Sequence, residues 1–206
     1  RPGLERLRVR GWARRLVPGR DDVRVETDDG SLAARMVALA PGPGEALRWP
    51  DWARALGAAG APVWHVFEPG FARERLPAGE LLVVGGGLSA AQLALALAVE
   101  RPGQVTLLRR HPWRVHRFDA DPGWLGSLAL ARFRTEPCLD ARGRQIDAAR
   151  HRGSVPLEVH RAVLAAVRRG ELRDLAGEVT DAVGAAGERP TLTLADGRAL
   201  RADGLV

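Results

Sequence analysis

The sequence predicts an α/β chain in which a parallel strand–helix–strand core is joined to antiparallel meanders. Two patterns carry this expectation. Residues Leu81 to Arg110 pass from an apolar run through a glycine turn and an alanine- and leucine-rich stretch to a second apolar run, the pattern of a β-α-β unit. The order strand, strand, Asp-Gly turn, strand occurs once near each end of the chain. With 46% hydrophobic and 27% charged residues, the 206-residue chain can bury one sizeable core or two small ones.

In chain order, Arg8–Trp12 reads as a strand and Asp22–Thr27 alternates apolar and polar residues. Asp29-Gly30 supplies a turn and Leu32–Ala40 returns, its last part Met36–Ala40 running into Pro41-Gly42-Pro43-Gly44. Between Glu45 and Glu80 lie a short helix at Pro50–Gly57, a run of small residues and the segment Val63–Gly70; this stretch reads as an interdomain connection.

The next segment carries the chemistry. Gly85, Gly87 and Ala90 satisfy G-x-G-x-x-G/A directly after one predicted strand and at the mouth of a helix. The first glycine permits a tight turn, the second lets backbone approach a pyrophosphate, and the small third residue lets helix and strand pack closely. The helix from Leu88 then offers its unpaired N–H groups and positive dipole end to phosphates. Together these features predict a Rossmann-like dinucleotide site built from Gly85, Gly86, Gly87, Leu88, Ser89 and Ala90. An acidic residue at the end of the second strand would select NAD, whereas arginine there suits the 2′-phosphate of NADP. Arg109 and Arg110 stand at that position, so NADP(H) is expected. Ser89 suits either a phosphate contact or the helix N-cap, and Gln92 either a nicotinamide or ribose contact or a solvated helix face.

From His111 to Arg152 the chain is rich in Arg, Trp, Pro and Gly, without strong periodicity, and reads as a lid or an insertion holding a short helix or two. Asp119 and Asp121 sit in a turn-forming sequence with no further ligand cluster beside them. His111 and His116 extend a phosphate site or form a basic loop, and Trp113 stacks on a base or anchors local packing. Pro156 to Arg169 has helical apolar spacing and stops at Gly170. Glu178–Val183, Thr191–Leu194 and Leu200–Val206 form the second meander, turning at Asp196-Gly197.

Composition excludes several classes. The formal charge of +6 and pI near 11.2 come from 31 basic residues that are all arginine and spread along the chain, which argues against a nucleic-acid patch. No apolar run is long enough to span a bilayer and no signal-peptide pattern opens the chain, so a cytoplasmic location without membrane partners is expected. Cys138 is the single cysteine, so an internal disulfide, a C-x-x-C redox pair and a cysteine cluster for zinc or iron–sulfur are excluded.

This order of parts resembles the flavoprotein oxidoreductases built from two dinucleotide-binding domains, and most closely the flavin-containing and N-hydroxylating monooxygenases. Val83–Ala90 is similar to their nucleotide-domain motif, and Leu39-Ala40-Pro41-Gly42 stands where they have an Ala-Thr-Gly-like turn. His65 stands where that family has a histidine ahead of the glycine loop, although Ala59 and Ala61 replace the expected aromatic residue and glycine. The resemblance implies that residues 1–44 are the tail of an FAD-binding domain. It makes 45–79 the connection and 80–206 the NAD(P)-binding domain, interrupted at about 111–152. It further implies an internal portion of a longer enzyme that passes hydride from NADPH to FAD, plausible as a monooxygenase. No FAD fingerprint precedes the first meander. The other reading is a non-catalytic NADP(H)-binding module or sensor. Substrate and oligomeric state are not encoded in any motif.

Overall fold

The computed structural model describes residue 9, residues 11–40 and residues 47–206. It divides into two compact units, residues 1–46 and 47–206.

In the first unit, β1 (Ala13–Pro18), β2 (Val23–Thr27) and β3 (Gly30–Ala34) form an antiparallel sheet in that order. Thr27 pairs with Gly30, so Asp28 and Asp29 form a two-residue turn, and Arg14 Nε bonds Asp28 Oδ1 at 2.6 Å. One expectation is corrected, that of the third strand. The strand expected at Arg8–Trp12 lies partly outside the described residues; the first described strand is β1, where Leu16 and Val17 pair with Val25 and Arg24. The third strand ends at Ala34 and does not extend through Met36–Ala40, because the tight turn pairs Ala34 with Val23, the first residue of β2, and no partner strand remains beyond it. The turn expected at Pro41–Gly44 lies outside the described residues.

The second unit begins with α1 (Asp51–Ala58), followed by β4 (Leu81–Val84), α2 (Leu88–Glu100) and β5 (Val105–Arg109). The insertion holds β6 (Arg114–Val115), a 3-10 turn at Pro122–Leu125, α3 (Ser127–Thr135) and α4 (Leu139–Ala149), and closes at β7 (Ser154–Val155), which pairs parallel with β6. Then come α5 (Leu157–Arg168), β8 (Leu172–Ala176), β9 (Val179–Val183), β10 (Thr191–Leu194), β11 (Ala199–Arg201) and β12 (Gly204–Leu205).

A parallel sheet of order β12-β4-β5-β8 is the centre of this unit. The central strands β4 and β5 read as largely apolar runs because both faces are covered. Leu81, Val83, Val105 and Leu107 pack against α2 and α5 through Ala91, Ala94, Leu97, Val163 and Ala166. Leu82, Leu108 and Leu205 point the other way, toward the meander β11-β10-β9 and α1, meeting Leu192, Leu194 and Leu56. Period-two alternation thus divides one apolar strand between two cores. Each fully buried leucine contributes about 2 kcal/mol of transfer free energy.

Residues 47–79, read from the sequence as an interdomain connection, pack with this unit. Leu56 of α1 is 2% exposed, Val63 bridges in parallel to Leu205, and Leu76 enters the core beneath α2. Helices α1 and α5 both end in Schellman turns at glycines with positive φ: Gly60 and Ala61 donate back to Gly57 and Leu56, and Gly170 and Glu171 to Val167 and Ala166. The predicted final strand at Leu200–Val206 is shared between two sheets, β11 on the meander and β12 beside β4.

Candidate functional site

In the order β12-β4-β5-β8, the chain leaves β4 to one side through α2 and returns to its other side through the meander. The neighbours β4 and β12 therefore flank a topological switch point, where open α/β sheets bind ligands beyond the carboxyl ends of their strands. The glycine loop lies there. Val84 N–H donates to Val206 O at 2.7 Å and Gly85 N–H to Leu108 O at 2.9 Å, holding the start of the loop to both neighbouring strands.

Each loop position is explained by what surrounds it. A Cβ on Gly85 would lie 2.9 Å from the Cβ of Ala90, so these two small residues let α2 meet the strand end. A Cβ on Gly86 would lie 3.0 Å from Cε1 of His111, and one on Gly87 would lie 3.4 Å from Cα of Gly153. Gly87 is the N-cap of α2, and no side chain caps that helix end. Ser89, for which the N-cap was one expectation, sits instead in the first turn and is exposed, as is Leu88. Gln92 is exposed on the helix surface.

Two cavities flank the loop. One of about 340 Å³ lies beyond β4 and β12, walled by Trp49, Trp52, His65, Phe67, Ser89 and Val206. The other, about 500 Å³, lies beyond β4, β5 and β8 and is walled by Gly85, Gly86, Arg110, His111, Gly153 and Glu178. Arg48 and Trp49 border both. In the apolar cavity, His65 Nδ1 accepts the N–H of Phe67 at 3.2 Å, so the neutral ring carries its proton on Nε2.

The two arginines expected to read a 2′-phosphate are separated by the fold. Arg110 is exposed and lines the larger cavity. Arg109 turns to β8, where Nε and Nη2 engage Asp174 at 2.9 and 3.3 Å while Nη1 donates to His111 O. Trp113 Nε1 donates to the same carboxylate at 2.9 Å, and the indole lies 5.3 Å from the Arg109 guanidinium and 5.4 Å from the ring of His160. Of the two roles open to Trp113, its contacts are those of the packing anchor.

Asp119 and Asp121 hold the foot of the insertion. Asp121 Oδ1 lies 2.9 Å from His151 Nε2, Asp119 O accepts from His151 N–H, and His151 stacks on His116 at 3.8 Å between centroids. No group of three or more metal-binding side chains occurs among the described residues. Cys138 is exposed at the start of α4. No helix of the described residues is long and apolar enough to cross a membrane.

The sequence reading missed Arg48, Trp49, Gly153 and Glu178. Glu178 had a usable signal, since it follows Gly177 directly after the strand that pairs with β5. The others reach the site from segments with no motif of their own.

No protein-family model matches the sequence, and no curated protein matches it. Solved structures do. L-lysine 6-monooxygenase from Pseudomonas syringae superposes with a TM-score of 0.61 at 22% identity, covering 90% of this chain and 48% of that one. The flavin-containing monooxygenase from Stenotrophomonas maltophilia gives 0.54 at 19% identity, covering 94% and 48%. This chain shares the fold of the portions of these two monooxygenases that it covers. This chain spans about half the length of each of these structures.

Proposed function

We propose that this chain is the NADPH-binding portion of an FAD-dependent oxidoreductase of monooxygenase type. The observation that carries the reading is the Gly85–Ala90 loop at the switch point, with the uncapped N-terminus of α2 beside it and Arg110 in the adjoining cavity. The likeness to monooxygenase structures supports the same reading. In it, residues 1–44 are the tail of an FAD-binding domain.

The residues present fit a dinucleotide. Gly86 and Gly87 let the loop backbone pass close beside His111 and Gly153, and the first-turn N–H groups of α2, from Leu88 to Ala90, are the donors for a pyrophosphate. Arg110 supplies a free guanidinium for a 2′-phosphate. Arg109 supports that strand end from behind through Asp174. Trp49, Trp52 and Phe67 wall the apolar cavity and exclude water from a ring seated there. A bound NADPH with FAD supplies hydride transfer, and the protein's part is to align the two rings and keep water out.

Binding is tested by titrating the chain with NADP+ and NAD+ and following tryptophan fluorescence, since Trp49 borders both cavities. Saturable binding that favours NADP+ is expected; no binding of either would overturn the reading. For the catalytic part, the full gene product is purified. A yellow protein bleached by NADPH supports the oxidoreductase, and a colourless one that binds NADP+ supports the module without flavin chemistry.

A further inference from the structure

His111 is held in a particular way. Its Nδ1 lies 2.8 Å from the carbonyl of Pro112. A carbonyl oxygen only accepts, so Nδ1 carries the proton and, in the neutral ring, Nε2 is left with a bare lone pair. The opposite edge of the ring, Cε1 and Nε2, is inserted between two glycines. A Cβ on Gly86 would lie 3.0 Å from Cε1 and 3.2 Å from Nε2, and one on Gly153 would lie 3.0 Å from Nε2. Gly153 has φ of 71°, which glycine adopts without strain, and the lack of a side chain there opens the space the imidazole fills. Arg109 Nη1 bonds the His111 carbonyl at 2.9 Å, fixing the backbone that carries the ring. A pinned histidine with one uncommitted nitrogen thus stands on the wall of the cavity that also holds Arg110.

We propose that His111 is a ligand-binding residue of this site, donating from Nε2 to a phosphate of the dinucleotide when its ring is protonated. The proposal rests on the dinucleotide reading above. Neutral His111 presents a lone pair to a phosphate oxygen and repels it; imidazolium presents a charged donor and attracts it. The charged groups around the ring are Arg48, Arg110 and Glu178 on the same cavity wall, Arg109, which is paired with Asp174, and Arg152 beside Gly153, which is paired with Asp147. A phosphate arriving in the cavity tips the ring toward its charged form. The contribution of this contact to affinity is therefore present where the ring is charged and is lost as pH rises.

The test is the affinity for NADP+ and for NAD+ across about pH 8 to about pH 5.5, the range in which histidine titrates. The wild-type chain is compared with His111→Phe, which keeps a ring between the glycines, and His111→Gln, which keeps a donor that does not titrate. Wild type is expected to tighten as pH falls, on the order of tenfold relative to His111→Phe. Both variants should lose the slope, and His111→Gln should bind more tightly than His111→Phe at high pH. The two ligands distinguish which phosphate is met: a slope with both means the pyrophosphate, and one with NADP+ alone means the 2′-phosphate. The monoester's own second pKa near ~6 affects wild type and variants alike, so the difference between proteins is the readout. Wild-type binding with a slope that persists in His111→Phe overturns this inference and leaves the dinucleotide reading standing. Absence of wild-type binding at every pH overturns both.

Discussion

Arg109 and Asp174 form a two-pronged ion pair across neighbouring parallel strands, Nε to Oδ1 at 2.9 Å and Nη2 to Oδ2 at 3.3 Å, with side chains only 15% and 11% exposed. The pair fixes the carboxyl end of β5, from which Arg110 and His111 reach the cavity. Removing one partner leaves the other charge largely buried and unpaired, which costs about 3 kcal/mol. Arg109→Ala and Asp174→Ala should each lower the denaturation midpoint accordingly, measured by urea unfolding. Because Trp113 shares the carboxylate, Trp113→Phe combined with Asp174→Ala should be less damaging than the sum of the two.

Close approach of Gly85 and Ala90 makes both positions sensitive to a single added carbon. Ala90→Val overpacks the contact and should destabilise by about 1–3 kcal/mol, with a larger loss of NADP+ affinity than of stability, because the loop must shift away from α2. Ala90→Gly relieves the contact and should cost only about 1 kcal/mol through helix propensity. Thermal unfolding and ligand titration of both variants check this.

Arg110 is the arginine left facing the cavity. Arg110→Gln should weaken NADP+ binding on the order of tenfold while leaving NAD+ nearly unchanged. Arg109→Gln should instead reduce stability, and any loss in binding should fall on both ligands alike. Equal loss of both ligands in Arg110→Gln would count against a 2′-phosphate contact.

Gly153 joins the foot of the insertion to the glycine loop. Gly153→Ala forces an alanine to a φ of 71° and puts its Cβ 3.0 Å from His111 Nε2. The backbone term alone is about 1–2 kcal/mol. Displacement of the imidazole should also show as a changed His111 ring signal by NMR.

Where α5 runs into β8, Arg169 and Glu171 pair with both N–O distances at 2.7 Å. The hydrogen bond from Arg169, and secondarily its charge, holds the Glu171 carboxyl below its ordinary value. Asp196 is lowered in the same way by Arg198. A folded pKa lying below the unfolded one means that the stabilisation is present above the unfolded carboxylate's pKa and fades as pH falls through the folded value. Both pairs are solvated, so added salt should weaken them. Arg169→Gln should move the Glu171 titration midpoint, followed by NMR, upward.

The sequence by itself determined β4, the glycine loop, α2, β5, α5 and the final meander, because each is written in local terms: apolar period, turn chemistry and the stop at Gly170. It also placed the G-x-G-x-x-A turn at Gly85–Ala90 between β4 and α2. Only the tertiary structure decided which of two adjacent arginines faces the cavity. That choice depends on Asp174, 65 positions away from Arg109, arriving on the next strand in register to claim it. Tertiary pairing likewise ended β3 at Ala34, where β2 offers no further partner. It also drew residues 47–79 into the second unit through Leu56 and Leu76. Arg48 with Trp49, Gly153 and Glu178 meet at the glycine loop from three separate segments. Local pattern encodes an element, but the neighbour that satisfies a charge or fills a gap comes from elsewhere in the chain, and only packing brings the two together.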